Sequence, residues 1–192
     1  MRPPIDPASI DAFTDRWPAS GRPLHILLNS AGAPAPAELE QDARGYEVQF
    51  ATNHLGHFQL TLGLLPALRA AHGARVVNVT SGAQRFGDIH WDDPHFAAGY
   101  NPGAAYAQSN VANVLFAVEP DRRWAKDRIR GYATHPGVIV GGVHLKDSDI
   151  SPLDNEDKPV TADSIPADVA SHSIDPDSAQ RLCGLSLQLL KH

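Results

Sequence analysis

Three short apolar runs, held apart by helix-length segments, constrain this chain more than any other feature. His25-Ile-Leu-Leu28 runs into Asn29-Ser-Ala-Gly32. Arg75-Val-Val-Asn-Val-Thr-Ser81 ends in two hydroxyls. Ile129 to His135 closes on Pro136-Gly137. Between the first two runs, Tyr46 to Ala71 is patterned as a helix, with Leu55, Phe58, Leu62 and Leu65 at spacings of 3, 4 and 3 on one stripe. Between the second and third, Ala104 to Val118 is helical again, after a loop from Phe86 to Pro102. Strands joined through helices of ten or more residues imply right-handed crossovers and a parallel sheet. Continuous Val/Ile/Leu runs imply strands buried on both faces. The two long helices are expected to pack together on one face of that sheet.

The flanks are read by their punctuation. Asp6 to Trp17 is an expected helix, with Asp6 as N-cap, Pro7 at the first helical position, and Ile10, Phe13 and Trp17 on one face. Pro18 and Gly21 end it. A short edge strand is expected near 142–145, followed by an acidic, weakly periodic stretch from Asp147 to Asp168. A last helix runs from Asp175, its N-cap, to Leu190, with Pro176 at its first position. The 192 residues therefore read as one domain: a core over 1–140, then an edge strand, an acidic loop and a closing helix over 141–192.

Composition excludes several classes. The formal net charge is −6, with no Lys/Arg block, so nothing in the sequence suits nucleic acid or anionic lipid. No apolar run approaches the roughly 20 residues that span a bilayer, and Met1 to Pro7 has no apolar signal core. A single cysteine, Cys183, excludes an internal disulfide framework. The expectation is a cytoplasmic protein.

In parallel α/β sheets, sites form at the carboxyl ends of strands. That rule points at Asn29 to Gly32, Thr80 to Ser81, and His135 to Gly137. Ser81 closes a strand, Tyr106 lies 25 residues later inside a helix, and Asn53 sits mid-helix in Asn53-His-Leu-Gly-His57. Taken together these segments resemble the short-chain dehydrogenases/reductases. Asn29-Ser-Ala-Gly32 is similar to that family's Asn-Asn-Ala-Gly element. Asn53-His-Leu-Gly-His-Phe58 resembles the helix bearing its active-site Asn, and Arg75 to Ser81 the strand bearing its catalytic Ser. Tyr106-Ala-Gln-Ser-Asn110 stands where Tyr-x-x-x-Lys belongs, and His135-Pro-Gly137 resembles its Pro-Gly element. The wording of Gly82 to Gly87 and Ser109 to Phe116 resembles the retinol-dehydrogenase-like branch.

The resemblance implies an incomplete Rossmann-like, doubly wound parallel sheet. It implies hydride transfer between NADP or NAD and a small carbonyl or alcohol. Tyr106 would be the general acid/base, Ser81 would hydrogen-bond the substrate oxygen, and Asn53 would fix a relay water. Asn29, Ala31, Gly32, Asn110, Pro136 and Gly137 would lie along the cofactor. A homodimer or higher association is implied as well.

Departures from the pattern matter as much. Asn110 stands where the lysine that lowers the tyrosine's pKa should be, and an amide carries no charge. No Gly-rich phosphate turn precedes Asn29, so the chain starts at what resembles the family's third helix. The segment after Gly137 is shortened. Pro120 falls inside the helix bearing Tyr106, where a proline costs roughly 3 kcal/mol or kinks the helix. Cofactor binding is therefore expected to be weak or absent. The alternative expectation is a non-catalytic remnant acting through protein association. His54 and His57, three apart on a helix, find no third metal ligand, and Ser81 lacks the G-x-S-x-G elbow of a hydrolase. No metal is expected.

Overall fold

The computed structural model describes residues 6–136 and 169–191. Three strands, β1 (Ile26–Asn29), β2 (Arg75–Val79) and β3 (Arg130–Thr134), form one sheet in the order β1-β2-β3. Both pairings are parallel, with Leu28 opposite Val77 and Val77 opposite Tyr132. The parallel sheet expected from the strand–helix rhythm is present. The expected edge strand near 142–145, Gly137 and the acidic stretch lie outside the described residues.

The first helix, α1 (Pro7–Arg16), starts as expected: the Asp6 carboxylate accepts from Ala8 N at 3.0 Å. Its contact face is different. Phe13 is 41% exposed and leans on Trp17, whereas Thr14 is the buried residue.

The expected long helix from 46 to 71 starts at Val48, is interrupted once, at Leu64, and passes through four segments. These are α2 (Val48–Phe50), a π turn (Ala51–Leu55), α3 (Gly56–Gly63) and α4 (Leu65–Ala70). Glu47 caps the start, its carboxylate accepting from Gln49 and Phe50 N. The break at Leu64 follows from Pro66, which has no N–H to continue the ladder and so sits in the first turn of a new helix.

Next comes α5 (Pro102–Arg123), capped by Asn101, whose side chain accepts from Ala104 N at 2.9 Å. It outruns the expected Val118 and passes through Pro120. The proline falls in the last turn, where Glu119 pairs with Arg122 and Arg123. Finally α6 (Pro176–Leu189) is capped by Asp175 and packs on α5.

Helices and sheet meet on one face. Leu27, Val76, Ala74 and Ile129 form a cluster with Leu64, Leu68 and Trp124. Phe50, Leu55, Val111, Leu115 and Leu182 form a second between α2, α5 and α6. Gly131 of β3 lets α5 approach: a Cβ there would lie 2.0 Å from the Ala117 carbonyl oxygen. The opposite sheet face is open among the described residues, with Ile26, Leu28 and Tyr132 at 62%, 59% and 45% exposed. The expectation of strands buried on both faces is thus corrected. Burial along β1 alternates, because the described helices cover one side only.

Candidate active site

The carboxyl ends of β1 and β2 open into a cleft of about 530 Å³. One wall is the loop Ser30 to Ala35. The floor is Val79 and Thr80. The other wall is Asn53 from the π turn, with Tyr106, Asn110 and Asn113 from α5. The last three recur at i, i+4 and i+7, one face of a helix.

Beneath the cleft lies a buried ladder of amides. Asn29 Nδ2 donates to Asn78 Oδ1 at 2.8 Å and to Thr61 Oγ1 at 3.2 Å. Asn78 Nδ2 donates to the Asn113 carbonyl, and Asn113 Nδ2 to the Val79 carbonyl. The amide nitrogens of this ladder find partners across element boundaries, while Asn29 Oδ1 and Asn113 Oδ1 are buried without one among the described residues. Asn29 is therefore placed in this ladder and is not among the residues lining the cleft.

Asn53 joins the two walls. Its Oδ1 accepts from Ala33 N at 2.8 Å, and its Nδ2 donates to Ser109 Oγ at 3.0 Å. The Asn53 backbone carbonyl accepts from His57 Nδ1 at 2.7 Å. Tyr106 is half-buried and lines the cleft. Asn110 turns back on its own helix: Nδ2 donates to the Tyr106 carbonyl at 2.8 Å, and Thr80 Oγ1 lies 3.5 Å from Oδ1.

Ser81 stands one residue beyond the cleft floor. It caps the 3-10 turn Gly82–Phe86, its Oγ accepting from Ala83 N at 3.3 Å. Ala31 and Gly32 line the cleft, while Pro136, half-buried, is not among its lining residues. Ser30 and Thr80 lie in segments the strand-end rule pointed at, whereas Val79 and Asn113 were not singled out from sequence. The helical spacing from Tyr106 through Asn110 was the available signal for Asn113.

His54 and His57 serve different neighbours. His54 is fully buried, with Nε2 2.8 Å from Ser186 Oγ, and burial aided by His57 lowers its pKa to about 3. His57 is likewise lowered by burial. Among the described residues no cluster of three or more metal-ligating side chains occurs.

No charged side chain lines the cleft among the described residues. Small Ala31, Gly32 and Ala33, with the Tyr106 hydroxyl and Thr80, fit an uncharged planar ring and a sugar hydroxyl. Nothing in that lining answers the charge of a diphosphate. The residues thus fit the nicotinamide end of a dinucleotide and not its pyrophosphate.

Residues 5–148 match the family model for short chain dehydrogenases, and the chain belongs to that family. Among curated relatives, a "Probable oxidoreductase" of Streptomyces lividans is 46% identical over 136 residues, covering 70% of this chain and 44% of the relative. Human retinol dehydrogenase 12 is 42% identical over 134 residues, covering 70% of this chain and 42% of the relative. The chain therefore spans less than half the length of these two relatives. A solved structure from Mycobacterium paratuberculosis is 30% identical with a TM-score of 0.75, covering 97% of this chain and 72% of the other.

Proposed function

We propose that this chain carries the substrate-side half of a short-chain dehydrogenase/reductase site and is weakly active or inactive by itself. The observation that carries this reading is the uncharged cleft around Tyr106, with the Asn110 amide turned onto its own helix. In the family a bound NAD or NADP supplies or accepts hydride. Ala31, Gly32, Thr80 and Asn110 would border its nicotinamide end, and Pro136 and Gly137 are proposed to do so from the strand that follows.

The chain's own residues would do the following. The Tyr106 hydroxyl would exchange a proton with the oxygen of a small carbonyl or alcohol. Ser81 would stabilise charge on that oxygen. Its Oγ accepts from Ala83 N, which leaves its hydroxyl hydrogen free to donate. Asn53 would hold the two walls at a fixed separation. Without a cation beside Tyr106, a few kcal/mol of lost stabilisation costs two or more powers of ten in rate.

A second reading has its own observation. The open sheet face with Ile26, Leu28 and Tyr132 suits a protein that acts through association and performs no catalysis. Both readings include self-association and a cytoplasmic setting. Among the described residues no helix is long and apolar enough to cross a membrane.

Calorimetric titration of NADPH and NADH into the natural chain and Asn110→Lys, with an aldehyde panel followed by nicotinamide absorbance, tests the first reading. Binding is expected at millimolar Kd or weaker, about −4 kcal/mol, without turnover in either protein. Micromolar binding to the natural chain would overturn the claim of a half-built cofactor site. Turnover by Asn110→Lys would show that the charge was the only defect.

A further inference from the structure

We propose that His57 is a positioning residue that fixes the loop wall of the cleft through the Ala31 backbone, held in a single tautomer. Ala31 N donates to His57 Nε2 at 3.1 Å. A ring nitrogen that accepts carries no proton, so in the neutral imidazole the hydrogen sits on Nδ1. That nitrogen lies 2.7 Å from the Asn53 carbonyl and donates to it. Both ring nitrogens are therefore committed, and the opposite tautomer would lose both bonds.

The loop needs such a tether. Ser30, Ala31 and Gly32 are exposed, so packing does not hold them, whereas His57 is 5% exposed. Two side chains one helical turn apart grip the loop at alternate residues. His57 takes the Ala31 amide, and Asn53 takes the Ala33 amide at 2.8 Å. Gly32 lies between them, on the cleft. His57 is itself anchored below, since its carbonyl accepts from Thr61 Oγ1 at 2.7 Å, and Thr61 accepts from Asn29.

The same bond occupies the Asn53 carbonyl. That carbonyl is a fixed point for the imidazole that places the loop wall. Desolvation keeps this ring neutral at ordinary pH, which preserves the accepting nitrogen. The positioning role matters for chemistry only if the cleft is a dehydrogenase site, as proposed above. The tether itself is measurable without any ligand, so the cofactor titration and the following experiment fail independently.

The test is nitrogen-15 NMR on the natural chain and on His57→Ala. In the natural chain His57 is expected to show a protonated Nδ1 and an unprotonated Nε2. In His57→Ala the Ala31 amide is expected to exchange roughly five- to tenfold faster, the loss of one hydrogen bond at a locally opening site. Ala33, still held by Asn53, and the fully buried Val76 and Leu115 amides should keep their rates. A protonated Nε2 in the natural chain would overturn the proposal, and this reading does not require the variant to fold. An Ala31 rate unchanged in folded His57→Ala would overturn it too, as would acceleration of all these amides together, the mark of general loosening.

Discussion

His54 carries a cost of burial that acid should reveal. The ring sits among Phe50, Phe58 and Phe116, with Ser186 as its polar partner. Its folded pKa is about 3, against the ordinary 6.5 of an exposed imidazole. Below pH 6.5 the unfolded chain binds a proton that the folded one refuses, so stability is full above 6.5 and falls as pH drops toward 3. The expected loss at pH 5 is about 2 kcal/mol from this ring alone. His54→Gln, which keeps a donor for Ser186 and does not titrate, should flatten the curve. Urea unfolding of both proteins at pH 7 and pH 5 checks this, and parallel pH dependences would count against it. The sequence showed the two histidines but not their separate uses, because each is defined by a partner from a distant element. Asn53, Tyr106 and Asn110 were legible as candidates through their motif, and all three line the cleft. The direction Asn29 faces was not legible, since a strand-end amide can face cleft or core and only the partner, Asn78, decides.

At the scale of elements, strand and helix existence was readable, while boundaries and faces were less so. Pro66 carried the signal for the break after Leu64, yet the stripe from Leu55 to Leu65 overrode it in reading the helix as continuous. The run Ile26-Leu-Leu28 suggested burial on both faces, but an apolar residue does not choose its environment unless an element arrives to cover it. How closely elements approach is set by glycines that composition alone does not reveal. Gly131→Ala is expected to destabilise by about 1–3 kcal/mol, because the new methyl meets Ala117 backbone in α5, which moves only with the whole helix. A melting temperature lowered by about 2–4 °C per kcal/mol would register it. Gly63→Ala is a useful contrast. Its Cβ would come within 2.5 Å of the Thr14 side chain, on peripheral α1, which can swing aside. The loss should therefore be smaller than at Gly131, and a larger one would mean that α1 is held more rigidly than its exposed surface implies.

Across the whole molecule, the C-terminal segment returns to brace the turn that follows Ser81. Ser173 Oγ donates to Gln84 Oε1 at 2.6 Å, and the Gln84 carbonyl is 3.1 Å from His172 Nε2. The turn after Ser81 and the segment leading into the closing helix are thus joined directly, and the sheet keeps one open face among the described residues. Parallel sheets are ordinarily covered on both faces. Here Ile26 and Leu28 alternate outward on β1, Tyr132 shares their face through the register, and β1 has an unpaired edge among the described residues. Apolar area of this kind, next to an open strand edge, favours pairing with another copy. The chain is expected to run as a dimer or larger species in light scattering at tens of micromolar. Leu28→Lys should shift it toward monomer. At 59% exposure the side chain supports little of the core, so the variant should fold with unchanged circular dichroism. The charge would also blunt the edge in the way natural sheets protect theirs. A natural chain that scatters as a clean monomer would sink this prediction. A Leu28→Lys protein that stays folded and associated would move the contact to another surface, with helices α3 and α5 the next to test.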